Sequence, residues 1–371
     1  MQTELKELTK LFLKLGFIAF GGPAAHIAMM QDEVVVKRRW MSEQHFLDLI
    51  GATNLIPGPN STELAIHIGY DRAGWRGLLV AGLCFILPAV FITGCFAWLY
   101  KSYGQLPELQ PYLYGIKPAI IAIILAAVFP LAKKSLKSVT LGVIGALALG
   151  LAIVGVGEIY VLFGAGFVAL LLALLRQKHL PTKLQSIAIV PLWQVAVAAS
   201  NTKLFFIFLK IGAILYGSGY VLFAFLDTEL VLTGLLTRQQ LIDAIAVGQF
   251  TPGPVFSSVT FIGYQLNGWS GAAVATIGIF LPSFVFVALL KPMVKYMRNS
   301  SLMAAFLDAV NVASVAAIVA VCFEMGKDTI TDWRTIVIAL VSVAITFGFR
   351  KVNSALVVIG GALLGYLLTM L

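Results

Sequence analysis

The hydrophobic positions of this chain fall into long runs that are separated by short polar stretches. An α-helix needs about 20 apolar residues to cross a bilayer, and runs of about that length recur throughout the chain. In the first half the segments lie at about 8–30, 44–69, 76–100, 111–131, 138–155 and 158–175, and in the second half at about 203–225, 239–264, 270–290, 302–323, 334–348 and 353–371. The pattern predicts an all-α polytopic membrane protein.

Several motifs occur twice in the same order. The three pairs are FLKLG 12–16 and FLKIG 208–212, PGP 57–59 and PGP 252–254, and IGYDRAGWRG 68–77 and IGYQLNGWSG 262–271. Motifs that return in order at an almost constant spacing indicate a duplication. We therefore predict two copies of one unit, at residues 1–185 and 186–371.

Composition narrows the class of protein. The chain is 60% hydrophobic and 12% charged with a mean hydropathy of +0.94, which excludes a soluble enzyme. Its net charge of +9 fits basic cytoplasmic loops, so we predict no nucleic-acid partner. The three cysteines lie in apolar runs without a metal-ligand spacing, and no Ser-His-Asp arrangement occurs. We predict a protein without catalytic residues, metal or cofactor.

The second segment of each copy is cut by Pro-Gly-Pro, which predicts a pair of half-helices that enters the membrane and returns to the same side. If the other five segments cross, 17 of the Lys and Arg residues lie on one face and seven on the other, as the positive-inside rule requires. An odd number of crossings makes the two repeats inverted. If all six segments crossed, the repeats would be parallel.

Inverted repeats with broken helices are typical of secondary transporters. The helix start after a break presents free N–H groups that attract anions. The candidate anion-binding residues at the breaks are Asn54, Pro57, Gly58, Pro59, Asn60, Ser61 and Thr62 in the first copy, and Gln249, Pro252, Gly253, Pro254, Ser257 and Ser258 in the second. The alternative is a proline kink whose Ser and Thr residues cap the next helix.

Two lysines, Lys14 and Lys210, lie inside apolar runs at equivalent positions of the copies. An ionisable group in a span is a functional candidate because its burial is costly, so the two ammonium groups are predicted to neutralise one dianion near the repeat axis. The alternative is that each lysine reaches the lipid headgroups. Gly21, Gly22 and Pro23 interrupt the first segment, either for close approach to substrate or for helix packing.

Three further residues are candidates for proton coupling. Glu63 follows the first break, whereas Ser258 occupies the corresponding position in the second copy. His26 and His67 have the chemistry to relay protons. Each of the three also has a purely structural alternative as a packed or paired side chain.

The stretches FGGPAAH 20–26, PGPNSTELAIHIGYDRAGWRG 57–77 and AVGQFTPGPVFSSVTFIGYQLNGWSG 246–271 resemble the chromate ion transporter family of the long-chain, two-domain type. The resemblance covers nearly the whole chain. It implies a transporter of the bacterial cytoplasmic membrane that expels chromate, is coupled to the proton gradient and confers resistance. The second copy departs from the FGGP signature with YGSG at 216–219, which suggests that the copies have diverged in role.

The expected partners are a small inorganic oxyanion, chromate or sulfate, and the lipid bilayer; a homodimer and an anion channel stay open. The direction of transport follows from the charge of the anion and the sign of the membrane potential. One charge crossing 100 mV is worth about 2.3 kcal/mol, so a dianion leaving an inside-negative cell gains about 4.6 kcal/mol. We therefore expect export.

Overall fold

The computed structural model describes residues 2–20, 22–104, 106–176, 200–217, 219–290, 300–349 and 352–370. Throughout these ranges the regular elements are helical and no strand occurs, which confirms the predicted class. Seven α-helices fall in each half of the described chain. They are α1 (Gln2–Ile18), α2 (Gly22–Gln31), α3 (Glu43–Thr53), α4 (Asn60–Tyr103), α5 (Gln110–Ser135), α6 (Val139–Ile153), α7 (Glu158–Arg176), α8 (Asn201–Ile214), α9 (Val221–Leu226), α10 (Arg238–Phe250), α11 (Ser258–Leu290), α12 (Ser301–Thr329), α13 (Trp333–Gly348) and α14 (Ser354–Thr369).

The two halves correspond helix by helix. α4 and α11 contain matching kinks, at Gly74 with φ 59° and ψ −149° and at Gly268 with φ 60° and ψ −151°. Short π-helical turns follow α2 and α9, at Asp32–Lys37 and Asp227–Val231. The predicted repeat boundary at residue 185 lies outside the described residues.

Each predicted Pro-Gly-Pro break is present. α3 ends at Thr53 and α4 begins at Asn60, while α10 ends at Phe250 and α11 begins at Ser258. A proline removes one backbone donor and clashes with the preceding turn, which accounts for both breaks. The first segment of each half is also interrupted, between α1 and α2 and between α8 and α9. Each half therefore contains two interrupted segments.

The kinks in α4 and α11 reverse the chain. A Cβ atom added at Gly69 would overlap the Gly77 carbonyl and lie 2.5 Å from Ala81 Cβ. Eight residues of straight helix span about 12 Å, so this contact requires the two parts of α4 to fold back on each other. Gly263 and Gly271 make the same contact in α11. The stretch between each Pro-Gly-Pro break and the following kink is therefore a separate half-helix that runs back along the rest of α4 or α11. This agrees with the separate segments predicted at 44–69 and 76–100 and at 239–264 and 270–290.

Five helical stretches are long and apolar enough to span a membrane, counted over the described chain: 60–103, 107–135, 158–175, 255–289 and 301–329. The protein is therefore a multi-pass membrane protein. Three shorter apolar helices, α6, α13 and α14, accompany these spans.

The halves interlock through a reciprocal exchange of helices. α5 packs on α13 and α14 of the second half, and α12 packs on the equivalent α6 and α7 of the first. Reciprocal contacts of this kind relate the halves by an approximate two-fold axis. The orientation of that axis relative to the bilayer, and hence the inverted topology, stays a prediction.

Candidate functional site

The interrupted ends of the two halves meet through a pair of equivalent backbone hydrogen bonds. Gly58 N–H donates to the Leu215 carbonyl at 2.8 Å, and Gly253 N–H donates to the Ala19 carbonyl at 2.8 Å. The N–H group of each Pro-Gly-Pro glycine thus pairs with a backbone carbonyl just after the first helix of the opposite half. We call these four residues the central crossing. Their positive φ values, 135° at Gly58 and 88° at Gly253, explain why glycine occupies both positions.

His26 ties the central crossing to the start of α4. Its Nε2 lies 3.0 Å from the Ala19 carbonyl and its Nδ1 lies 3.2 Å from Ser61 Oγ. A carbonyl can only accept, so Nε2 carries the hydrogen and Nδ1 of the neutral ring accepts from the Ser61 hydroxyl. The ring also packs edge-on against Phe85. Both nitrogens of His26 are therefore engaged in holding the two breaks of the first half together.

Glu63 lies directly beneath Gly58 and is fully buried. Ser283 Oγ donates to Glu63 Oε1 at 3.3 Å, while Oε2 has no hydrogen-bond partner. A Cβ atom at Gly58 would overlap Oε1, so the carboxyl group occupies the space that a side chain there would need. No Lys or Arg of the described chain forms an ion pair with Glu63. An ionised carboxylate in this position would be uncompensated, and an unpaired buried charge is costly.

The second half has hydroxyl groups where the first half has the carboxyl group. Ser258 stands at the position of Glu63, and Ala89 stands at the position of Ser283. Thr93 Oγ1 donates to Ser257 Oγ at 3.2 Å and lies 3.5 Å from Thr251 Oγ1. The two breaks are therefore chemically different, one acidic and one lined by hydroxyls.

Three fully or nearly fully buried groups next to the breaks have no hydrogen-bond partner among the described residues: Thr62 Oγ1, Ser258 Oγ and Gln249 Nε2. The Tyr220 hydroxyl also lies beside the Gln249 side chain. Most buried polar groups in proteins are satisfied, so such a concentration at the breaks needs an explanation. All three can donate a hydrogen bond to an anion.

The predicted lysines have counterions. Lys14 Nζ lies 2.8 Å from Glu33 Oε1, and Lys210 Nζ lies 2.5 Å from Glu229 Oε1, each pair within its own half. The hydrogen bond from Lys14 holds the pKa of the Glu33 carboxyl below its usual value. Sequence reasoning missed these glutamates, although both follow their lysine by the same number of residues. Joint binding of a dianion by the two lysines stays a prediction, and it would require both ion pairs to open.

The remaining predicted residues are buried in or near the breaks, form the partly exposed pair of Asn54 and Asn60, or lie at the start of α2. Pro57, Pro59, Pro252 and Pro254 are buried within the breaks, and His67 is buried one turn after Glu63. Asn60 Nδ2 donates to the exposed Asn54 at 2.8 Å. Gly22 has a φ of 77°, and Pro23 follows it at the start of α2. Gly21 lies outside the described residues.

A cavity of about 440 Å³ reaches the breaks from one side of the bundle. It is bounded by Pro23 in the first half, by Asn54 and Asn60 beside the first Pro-Gly-Pro break, and by Gly219 and Tyr220 in the second half. Its outer part is lined by the end of α5 and by α12. The cavity therefore touches three of the four interrupted segments.

Several residues of this site carry no motif that sequence analysis recognises. Ser283 and Thr93 reach the breaks from helices that are distant in sequence. A signal for Ser283 was nonetheless present, because two positions at which the copies differ, Glu63 against Ser258 and Ser283 against Ala89, bring Glu63 and Ser283 into contact.

Comparison with known proteins finds relatives that match nearly the whole chain. A sequence model of the family described as "Chromate transporter" matches the chain twice, at residues 6–170 and 202–366. The chain is 32% identical to the chromate transport protein of Cupriavidus metallidurans, over 97% of this chain and 92% of the relative. It is 31% identical to the probable chromate transport protein of Synechococcus elongatus, over 97% of this chain and 95% of the relative. An uncharacterized transporter of Methanocaldococcus jannaschii is 28% identical over 96% of this chain.

No solved structure matches the chain. The family model nevertheless covers both halves, and the relative from Cupriavidus metallidurans, at 32% identity, matches 97% of this chain. The protein, a multi-pass membrane protein with two interlocked halves, belongs to the chromate transporter family.

Proposed function

We propose that this protein exports chromate across the cytoplasmic membrane of a bacterium and so confers chromate resistance. One observation carries the proposal: at the central crossing each Pro-Gly-Pro break is hydrogen-bonded to the interrupted first segment of the opposite half, and unpaired buried donors lie beside the helix starts that follow the breaks. Relatives of nearly equal length that bear the name chromate transport protein support the choice of substrate.

The chemistry of the breaks suits a tetrahedral dianion. Free N–H groups and the dipoles of α4 and α11 favour negative charge at their starts. The hydroxyls of Thr62 and Ser258 and the amide of Gln249 add neutral donors that do not bind the anion so tightly that it cannot leave. Sulfate has the same charge and shape, so selectivity between the two is a matter for the transport assay.

Glu63 is the proposed coupling group. An ionised carboxylate next to a dianion raises its energy through repulsion, whereas the protonated form can donate a hydrogen bond. Anion binding and protonation of Glu63 should therefore reinforce each other. A dianion that moves with one proton carries one net negative charge outwards, which gains about 2.3 kcal/mol per 100 mV and loses about 1.4 kcal/mol per pH unit of inward proton gradient.

The test is transport of radiolabelled chromate and sulfate by the full chain in proteoliposomes with an imposed membrane potential. We expect saturable chromate transport. Apparent affinity for sulfate, which does not change charge near neutral pH, should fall as pH rises in the parent protein and be independent of pH in Glu63→Gln. Asp243→Asn is the matched control, because Asp243 is also a buried carboxyl but accepts a hydrogen bond from Tyr100 at 2.6 Å.

Transport and its coupling to Glu63 are tested separately. Absence of transport of both anions by correctly inserted parent protein would contradict the transport claim. If Glu63→Gln kept the parental pH dependence, or if Asp243→Asn abolished it equally, Glu63 would not be the coupling group.

A further inference from the structure

The cavity of about 440 Å³ has a charge arrangement that the site at the breaks does not explain. Three charged side chains line it: Lys134 and Lys137 from the end of α5 and the loop that follows, and Asp308 from α12. Asp308 Oδ1 lies 2.7 Å from Lys137 Nζ and compensates that charge. Lys134 has no carboxylate within ion-pair distance in the described part of the chain. The cavity wall therefore carries one uncompensated positive charge.

The neutral groups deeper in the cavity connect this charge to the breaks. Asn54 and Asn60 present their hydrogen-bonded amides on one side, and Tyr220, whose hydroxyl lies beside Gln249, lies on the other. A Cβ atom at Gly22 would lie 3.8 Å from the Tyr220 hydroxyl, so the first segments of the two halves are neighbours at the inner end. A ligand in the cavity beside Lys134 thus also faces Asn54, Asn60 and Tyr220, the last of which interacts with Gln249.

We propose that Lys134 is the initial binding residue for a multivalent oxyanion that enters this cavity, and that the Lys137–Asp308 ion pair limits the positive charge there. The inference rests on the proposed export function and on the predicted topology, in which Lys134 is one of the 17 basic residues on the cytoplasmic face. A dianion is attracted by the uncompensated ammonium, while the paired Lys137 does not hold it tightly enough to prevent its onward movement.

A simpler role for Lys134 exists. Basic residues in the last turn of a helix interact favourably with its carbonyl end, and both Lys133 and Lys134 occupy the last turn of α5. Both are exposed and belong to the same apolar helix, but only Lys134 lines the cavity. Lys133 is therefore a matched control, because it shares the helix-end role and the general surface charge without facing the cavity.

The experiment measures initial rates of chromate uptake against concentration in inside-out vesicles that contain the full chain, for Lys134→Gln, Lys133→Gln and Asp308→Asn. Loss of a hydrogen bond to a charged group should raise KM in Lys134→Gln by about tenfold or more with little change in kcat. Lys133→Gln should stay within about twofold of the parent KM. Asp308→Asn, which frees the Lys137 ammonium, should lower KM by about twofold to fivefold.

Equal KM values in Lys134→Gln and Lys133→Gln would overturn the inference, as would a loss of kcat without a change in KM. If the parent protein transports no chromate, the proposed function fails and the cavity is tested separately by equilibrium binding of radiolabelled sulfate to the purified protein. Weaker sulfate binding in Lys134→Gln than in Lys133→Gln would then support the site, and equal binding would refute it.

Discussion

Replacement of Gly58 by alanine tests the geometry of the acidic break. The residue has a φ of 135°, a conformation that costs a non-glycine residue about 1–3 kcal/mol. The added methyl group would also overlap Glu63 Oε1 and lie 2.7 Å from Ser283 Oγ, against about 3.5 Å for a favourable contact. The carboxyl group must therefore move away from Ser283.

A buried polar group that loses its hydrogen bond costs a further 1–3 kcal/mol or so. The two contributions amount to about 2–6 kcal/mol, a large part of the roughly 5–15 kcal/mol that stabilises a typical protein. Gly74→Ala is the control, because Gly74 has a φ of 59° but nothing within 4 Å of the added Cβ atom, so that only the backbone contribution applies.

The measurement is thermal unfolding of the detergent-solubilised full chain, followed by the loss of monodisperse protein, together with transport in proteoliposomes. Gly58→Ala should unfold at a clearly lower temperature than Gly74→Ala and should lose transport. The double variant Gly58→Ala with Glu63→Ser, which installs the residue of the second half, should regain part of the thermal stability. If Gly58→Ala and Gly74→Ala were equally stable, the close contact between Gly58 and Glu63 would be wrong.

Three further predictions concern other parts of the molecule. Because the pKa of Glu33 is lowered from 4.5 by its ion pair, the stabilisation it provides is present above about pH 5 and is lost as pH falls through that lowered pKa. The difference in Tm between the parent and Glu33→Gln should therefore be constant from about pH 7 to about pH 5 and shrink below that, and a difference that stays constant down to about pH 3 would contradict this. Pro57→Ala and Pro252→Ala should reduce transport more than membrane expression by allowing continuous helix across each break, and parental transport rates in both would refute a role for the breaks. Single cysteines at Arg38 and Thr228 should react with impermeant reagents from opposite sides of the membrane if the repeats are inverted, and labelling of both from the cytoplasmic side would exclude inversion.

Local signals in the sequence were sufficient for the fold class and for the positions of the breaks. Pro57 and Pro252 act on their own helices, so their effect is visible in a single chain segment. The interruption near Gly217 has no proline, and the short helix α9 that follows it was merged into one longer segment. Helix ends that depend on tertiary packing cannot be predicted from periodicity alone.

The site was predicted less completely than the fold, because it is built from contacts across the halves. The residues around the breaks were identified, but the acceptor of Gly58 N–H is Leu215 in the opposite half. An apolar residue offers only its backbone carbonyl, which has no sequence signature. Lys14 and Lys210 lie in apolar runs without a neighbouring acidic residue, whereas their partners Glu33 and Glu229 follow 19 residues later in each half, a repeat that is visible in the sequence.

The reciprocal hydrogen bonds of the central crossing have a consequence for biosynthesis. The acceptor of the Gly58 N–H group is Leu215 in the second half, which is translated long after Gly58 leaves the ribosome. This N–H group therefore has no acceptor while only the first half has been made. Gly253, in turn, depends on Ala19, which is synthesised first. Neither half can complete its breaks alone, and assembly must wait until most of the second half has entered the membrane. If the two halves were synthesised as separate chains, each would have an unpaired N–H group and an unpaired carbonyl that match those of the other. The separate halves should therefore associate with each other rather than fold independently.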